Sequence, residues 1–333
     1  MKYFEPEYYK EFQCIAGACP DSCCKEWAVA IDPEAEAKYR ALPGKLGEAL
    51  RAAMCEEEGD IILALTPDRR CPMWRQDGLC RIQSQLGEEW LCNTCRQFPR
   101  LRHDYGNFVE LGLELSCPEA ARLILSGERQ DLLTRQEIGG ETPEYAPEDM
   151  AILLTSRQQA LEILANPKYS LGEALAILLL LGYSAQSVLD GEDAEVFDPN
   201  QALATASKLA ATGDTAALLA LYNELEILTA DWKAQLALPL GSDWLDAHRA
   251  MARYFVERYW LQAVSDLDLV CRVKFILASC LVVKLVGGDI LVTAQRYSKE
   301  IENDADNVDA LLDAAYTHPA MADIRLLGLL LED

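Results

Sequence analysis

Histidine is nearly absent from this chain: three residues in 333, at His103, His248 and His318. A metal site built on imidazoles is thereby disfavoured, since His103 alone lies near the other candidate ligands. Positive charge is also short, with 30 Lys and Arg against 54 Asp and Glu and a net charge of −24. Such a surface repels phosphate backbones, so no nucleic-acid partner is expected. Long apolar runs are missing too. Residues 174–181 are too few to cross a bilayer, and Arg272, Lys274 and Lys284 interrupt the stretch 267–286. The opening Met1-Lys2-Tyr3-Phe4-Glu5-Pro6-Glu7 has neither the apolar core nor the cleavage site of a secretory signal. The expectation is a cytoplasmic protein with no membrane contact.

Cysteine is plentiful and unevenly placed. Ten of the twelve fall within the first 117 residues: Cys14, Cys19, Cys23, Cys24, Cys55, Cys71, Cys80, Cys92, Cys95 and Cys117. In a reducing compartment, clustered thiols point to metal ligation more than to a disulfide framework. Thiolates suit zinc or an iron–sulfur cluster, either of which takes about four of them. Three readings follow from spacing: a structural metal staple, a functional iron–sulfur centre, or disulfides and free thiols. Seven arginines between residues 68 and 102 (69, 70, 75, 81, 96, 100 and 102) make this stretch locally positive. Cys117 opens an expected helix. Both features favour ionised thiols.

The pattern along the chain predicts a mainly α protein: a small loop-rich cysteine-cluster domain with short strands, residues 1–128, a linker at 129–147, and an acidic all-helical domain at 148–333. The first part carries a net charge of −6 up to residue 125 and the rest −18. Asp32-Pro33 should cap a helix over 34–42. Ser116-Cys117-Pro118-Glu119 and Ser170-Leu171-Gly172-Glu173 read as capping boxes. A helix is expected over 46–57 and strands near 26–31, 61–65 and 108–115. Trp74, Trp90, Phe98 and Tyr105 should fill the small domain's core, with Trp27 over the metal site. His103 is a possible ligand or acid/base group, with a solvated loop residue beside arginines as the bland reading. From 148 onward apolar residues recur three and four apart. Val286-Gly287-Gly288-Asp289 is no dinucleotide-type glycine turn; it reads as a helix ending on glycine.

Four segments carry a resemblance. They are Phe12–Trp27 with Cys14, Cys19, Cys23 and Cys24; Cys71-Pro72-Met73-Trp74 through Cys80-Arg81-Ile82-Gln83; Thr94-Cys95-Arg96-Gln97-Phe98-Pro99-Arg100; and Leu115-Ser116-Cys117-Pro118-Glu119. In this order they resemble the flagellin lysine-N-methylase family, within the wider group of CxxCxxCC-type iron- or zinc-chelating proteins. Fainter echoes lie at 254–260 and at Tyr297-Ser298-Lys299-Glu300-Ile301-Glu302-Asn303, where Asn303 departs from the histidine common in the family. The resemblance implies a lysine N-methyltransferase using S-adenosylmethionine and a [4Fe–4S] cluster, with zinc as the alternative metal. Its protein partner would be flagellin or another lysine-bearing protein. It assigns Cys14, Cys19, Cys23, Cys24, Cys71, Cys80, Cys95 and Cys117 as metal ligands. Cys92 adjoins a motif without being counted in it. Eight sulfurs exceed one cluster's needs and leave open two centres, or one centre with a redox pair.

On that reading, Arg81, Arg96 and Arg100 are candidates to grip the cofactor's carboxylate. Methyl transfer also needs a neutral lysine amine, whose ordinary pKa is about 10.4. Tyr297, Glu300 and Glu302 are candidate catalytic groups, with Tyr254 and Glu257 behind them; the bland alternative is a solvated acidic helix face. A separate class of reading remains: a non-enzymatic zinc- or iron–sulfur-binding module that supports protein–protein interaction.

Overall fold

The computed structural model describes residues 1–57, 59–126, 132–136, 142–193, 195–241 and 243–332. Among the described residues, seven short strands form two sheets in the N-terminal part: β1 (Lys2–Pro6), β2 (Val29–Ala30), β3 (Met54–Glu57), β4 (Asp60–Leu63), β5 (Arg100–Asp104), β6 (Phe108–Leu113) and β7 (Leu132–Gln136). One sheet runs in the order β5-β6-β1-β7 and the other β2-β4-β3. β1 lies parallel to β6, with Tyr3 opposite Val109, and antiparallel to β7, with Phe4 opposite Thr134. Among the described residues, the stretch from Pro147 to Leu331 is helical or connecting chain. The protein is mainly α, as the sequence pattern predicts.

Local signals explain many of these elements. Asp32 caps the helix Pro33–Ala41, its Oδ1 accepting from the Ala35 N–H at 3.0 Å. Ser170 and Glu173 close a complete capping box on the helix Leu171–Leu189. Gly287, at φ +69°, ends the helix Leu269–Val286, and a Cβ there would sit 2.3 Å from the Gly241 carbonyl oxygen. Other expectations are corrected. Ser116 bonds Glu114 instead of capping, and Cys117 takes the cap position of the helix Pro118–Ile124. The helix expected over 46–57 is Gly44–Ala53, and Met54–Glu57 leaves it to pair with β4. Part of the expected linker, Leu132–Gln136, is a sheet strand; residues 129–131 and 137–141 lie outside the described residues.

Two cores result, and their border does not follow residue 128. The smaller gathers Val29, Tyr39, Leu50, Leu63, Met73 and Ile82 around buried Cys71 and Cys92, with Trp74 and Trp90 packed on it. The larger joins the helical part with Tyr8, Tyr105, Phe108, Leu113 and the helix Pro118–Ile124. Tyr105 thus belongs to the larger core, contrary to the sequence expectation. The helix Leu269–Val286 is buried on every side, which is why it is apolar all round. Its charges are paired: Arg272 with Asp266 at 2.8 Å and Lys274 with Asp323 at 2.7 Å. The helix Leu171–Leu189 is long and apolar enough to cross a membrane by composition, but most of it is buried inside the protein.

Candidate functional site

The small core assembles cysteines from three separate stretches. The Cys71 N–H donates to the Cys24 carbonyl at 2.8 Å, and a tight turn follows as the Trp74 N–H reaches the Cys71 carbonyl at 2.9 Å. Trp74 then bridges back to Cys80, which stands at the cap position of the helix Arg81–Leu86. Cys92 holds the same position on the helix Asn93–Gln97. Asp32 ties this helix to the first: its Oδ2 accepts from the Asn93 N–H at 2.7 Å while Oδ1 caps Pro33–Ala41. One carboxylate thereby fixes both the cap and the Cys92 turn.

Within this group the thiols act on one another. The neighbouring Cys24 thiol drives the Cys23 thiol up and the Cys71 thiol down. Cys24, between them, rises to about 12. Cys92 and Cys95 are neighbours, and the Cys92 thiol falls to about 7 while that of Cys95 rises. Cys80 lies beside Cys24 and Cys92 and is raised by burial. Cys71 and Cys92 are therefore the two sulfurs best prepared to be anions. All twelve cysteines are free thiols. Among the described residues no three His, Cys, Asp or Glu side chains stand close enough together to hold a metal ion as placed. The structure presents neighbouring soft donors rather than a closed coordination shell.

Cys92 was passed over because it lies outside the family motifs, yet it is 1% exposed and central. The signal was present: Cys92-Asn93-Thr94-Cys95 is a Cys-x-x-Cys pair. Cys14, Cys19 and Cys117 form a second neighbourhood, which meets the first at Cys23. The expected lowering of Cys117 by its helix fails. Burial raises it to about 11, against the opposing pull of the Glu119 and Ala120 N–H groups.

The arginines are dispersed. Arg69, Arg70, Arg75 and Arg102 pair with Glu26, Asp68, Asp77 and Asp104, so most of the local positive charge is spent. Arg96 is exposed and bonds Asn93, and Arg100 lies 5.3 Å over the Phe12 ring. Arg81 begins its helix, with its N–H on the Met73 carbonyl at 2.8 Å.

The second cysteine neighbourhood abuts the helical part. Lys299, nearly buried, donates to Asp21 Oδ2 at 2.8 Å and lies 4.7 Å over the Trp27 ring. Gln295 joins the same carboxylate at 3.0 Å and the Ser116 carbonyl at 2.8 Å. Trp27 in turn donates to the Cys23 carbonyl at 3.0 Å. The echo segment at 297–303 and the Cys14–Trp27 segment therefore touch, through a lysine that sequence reasoning did not single out. Lys299 belongs to a wide helical turn, Ser298–Glu302, of the π type often found at functional sites.

Tyr297, just before this turn, and Glu300 and Glu302 within it face different surroundings, and the solvated-face alternative is overturned because all three are buried. Glu300 accepts from the Leu228 N–H at 2.7 Å and from the Thr229 hydroxyl, which orders the chain entering the helix Ala230–Ala237. Glu302 receives the Tyr254 and Tyr259 hydroxyls, at 3.1 and 2.9 Å, and pairs with Arg258 at 3.2 Å. The Tyr297 hydroxyl lies 2.7 Å from the Ser279 hydroxyl. His103 is not a solvated loop residue: it sits on β5 opposite Glu110, and burial lowers its pKa.

No protein-family model and no solved structure match the chain. It is 29% identical over 249 residues to a protein named Lysine-N-methylase from Salmonella choleraesuis (strain SC-B67), and 28% identical to one of that name from Salmonella typhimurium (strain LT2). These matches take in 71% of this chain, which spans about 59% of the length of those relatives. It is also 33% identical over 135 residues to the Flagellar biosynthetic protein FliU of Salmonella muenchen, covering 76% of that protein and 37% of this chain. By that measure, and by the in-order cysteine segments it brings together, the chain belongs to the family that these lysine-N-methylases and FliU represent.

Proposed function

We propose that this protein methylates lysine side chains of another protein, with S-adenosylmethionine as methyl donor and flagellin as the first substrate to test. The observation that carries the reading is the likeness, over 71% of the chain, to proteins named Lysine-N-methylase. The flagellar name of the third relative favours a flagellar substrate. The geometry supports it at one place, where the cysteine segment is clamped to the turn Ser298–Glu302 by Asp21, Lys299 and Gln295.

The donor set fits an iron–sulfur cluster or zinc: Cys23, Cys24, Cys71, Cys80, Cys92 and Cys95 are neighbouring soft ligands, and two are prepared to ionise. Once bound, such a centre would supply a Lewis-acidic metal for the cofactor's amino-acid end. The protein's own residues have the remaining work. Arg81, Arg96 and Arg100 stand around the cysteine lobe as candidate partners for a carboxylate. The lysine nitrogen must lose a proton to an acceptor; its lone pair then takes the methyl carbon, and the sulfur–carbon bond breaks with its electrons left on sulfur.

The test is methyl transfer from isotopically labelled S-adenosylmethionine onto purified flagellin by protein loaded with iron and sulfide. Labelled methyl-lysine is the expected product. A protein that holds zinc, lacks visible charge-transfer absorption and labels no lysine-bearing protein would instead be the non-enzymatic binding module. Arg96→Ala should weaken binding of the cofactor at unchanged iron content, measured by calorimetry.

A further inference from the structure

Under the larger sheet, between β1, β5, β6 and the helices Pro147–Ala165 and Asp246–Tyr259, lies a cavity of about 70 Å3. Its walls are apolar, with Phe4, Leu101, Leu111, Leu113 and Leu161. Its polar side holds His103, Glu110, Arg157, Glu257 and Arg258. Both guanidinium groups have acidic partners. Arg157 grips Glu110 with two bonds, at 2.6 and 2.8 Å, and Arg258 is taken by Glu302 and the Tyr254 hydroxyl. Acceptors face the same space. His103 Nε2 is buried with no hydrogen-bond partner among the described residues, and the Glu257 carboxylate, which accepts from Arg253 through Oε1 at 2.7 Å, lines the same side.

We infer that this cavity binds a primary aliphatic amine, its stem against the leucines and its nitrogen at His103 Nε2 and the Glu257 carboxyl. At roughly 10–15 Å3 of such space per water-sized group, the volume takes about five heavy atoms, the size of a butylamine. The amine donates N–H bonds, and His103 answers as an acceptor in the tautomer protonated at Nδ1. A lysine side chain from Cβ outward has this shape and chemistry. Identifying the occupant as the lysine to be methylated rests on the proposed function; the amine site itself does not. The cavity also lies toward the cysteine lobe, since Glu114, bonded to Ser116 beside Cys117, interacts with Arg258.

With three histidines in the chain, the probe is direct. The full-length protein, labelled in its histidine rings, is titrated with n-butylamine at constant pH without cofactor and followed by NMR. Saturable movement of the His103 ring signals, with those of His318 still, is the expected result. Branched tert-butylamine, too wide for the slot, should bind about tenfold more weakly. Leu161→Phe, which fills the stem region, should weaken n-butylamine by a similar factor, and Leu161→Met should restore binding if the larger ring disturbs folding. An unmoved His103, equal movement of all three histidines, or equal affinity for the two amines would overturn the site. If n-butylamine binds as expected but no protein lysine is methylated, the amine site stands and the methylase reading falls.

Discussion

Asp32 illustrates how much one side chain can fix. Its two oxygens cap two helices 61 residues apart and set the turn that carries Cys92. The consequence belongs to Cys92 itself: Cys92→Ser should lower the iron bound per chain as far as Cys95→Ser does, whereas Cys55→Ser, exposed on β3, should leave it unchanged. Metal analysis of reconstituted protein checks this. A second residue-scale outcome concerns acid. Burial, followed by repulsion from Lys284, lowers the His248 pKa from 6.5 to about 4. The unfolded chain therefore binds a proton that the native state refuses, and stability falls as the pH drops from about 6.5 towards 4. Asp21 acts in the same direction at lower pH: burial alone would raise its carboxyl, but Lys299 outweighs this and holds it below 3.8. Urea midpoints at pH 7 and pH 5 should differ in the wild type, and His248→Gln should flatten the difference.

At the scale of elements, the junction between the cysteine segment and the turn Ser298–Glu302 is the decisive contact. Removing one partner leaves a buried charge unmatched, so Asp21→Ala should cost about 3–5 kcal/mol, and the double variant Asp21→Ala/Lys299→Met should recover part of that loss. Chemical denaturation measures both. The capping chemistry of Pro33–Ala41 and Leu171–Leu189 was legible because an N-cap is read from adjacent residues. β1 and β7 were not legible: each is five residues long, and β1 finds its partners about a hundred residues away, at Phe108 and Gln136. Short strands gain their stability from such neighbours, which local pattern does not reveal. The same reason hid the burial of Glu300 and Glu302, because acidic residues on a helix look solvated until tyrosines, a backbone N–H and an arginine from other elements close over them.

For the whole molecule, the division into two cores predicts how it comes apart. The smaller core is built around sulfur, so metal binding and folding should be coupled there. Stripping the reconstituted protein with a chelator should unfold this core first, while helical circular dichroism keeps most of its amplitude; a single cooperative loss of both signals would refute the division. The larger core depends on close helix contact. A Cβ at Gly182 would meet Val273 Cγ2 at 2.9 Å, so Gly182→Val should destabilise by about 1–3 kcal/mol through overpacking, read as a lower thermal midpoint.

What the sequence by itself determined are properties carried by neighbouring residues: the helical character of the C-terminal part, its caps and glycine stop, and the four cysteine segments in their order. The tertiary structure alone decided which sulfurs are neighbours, that Cys92 joins them, that the arginines are mostly spent on acids, and that Lys299 reaches Asp21 across 278 residues. The physical reason is distance along the chain. Propensity and capping act within a turn or two, whereas the ionisation of a thiol, the pairing of a buried charge and the emptiness beside His103 depend on groups that only packing brings together.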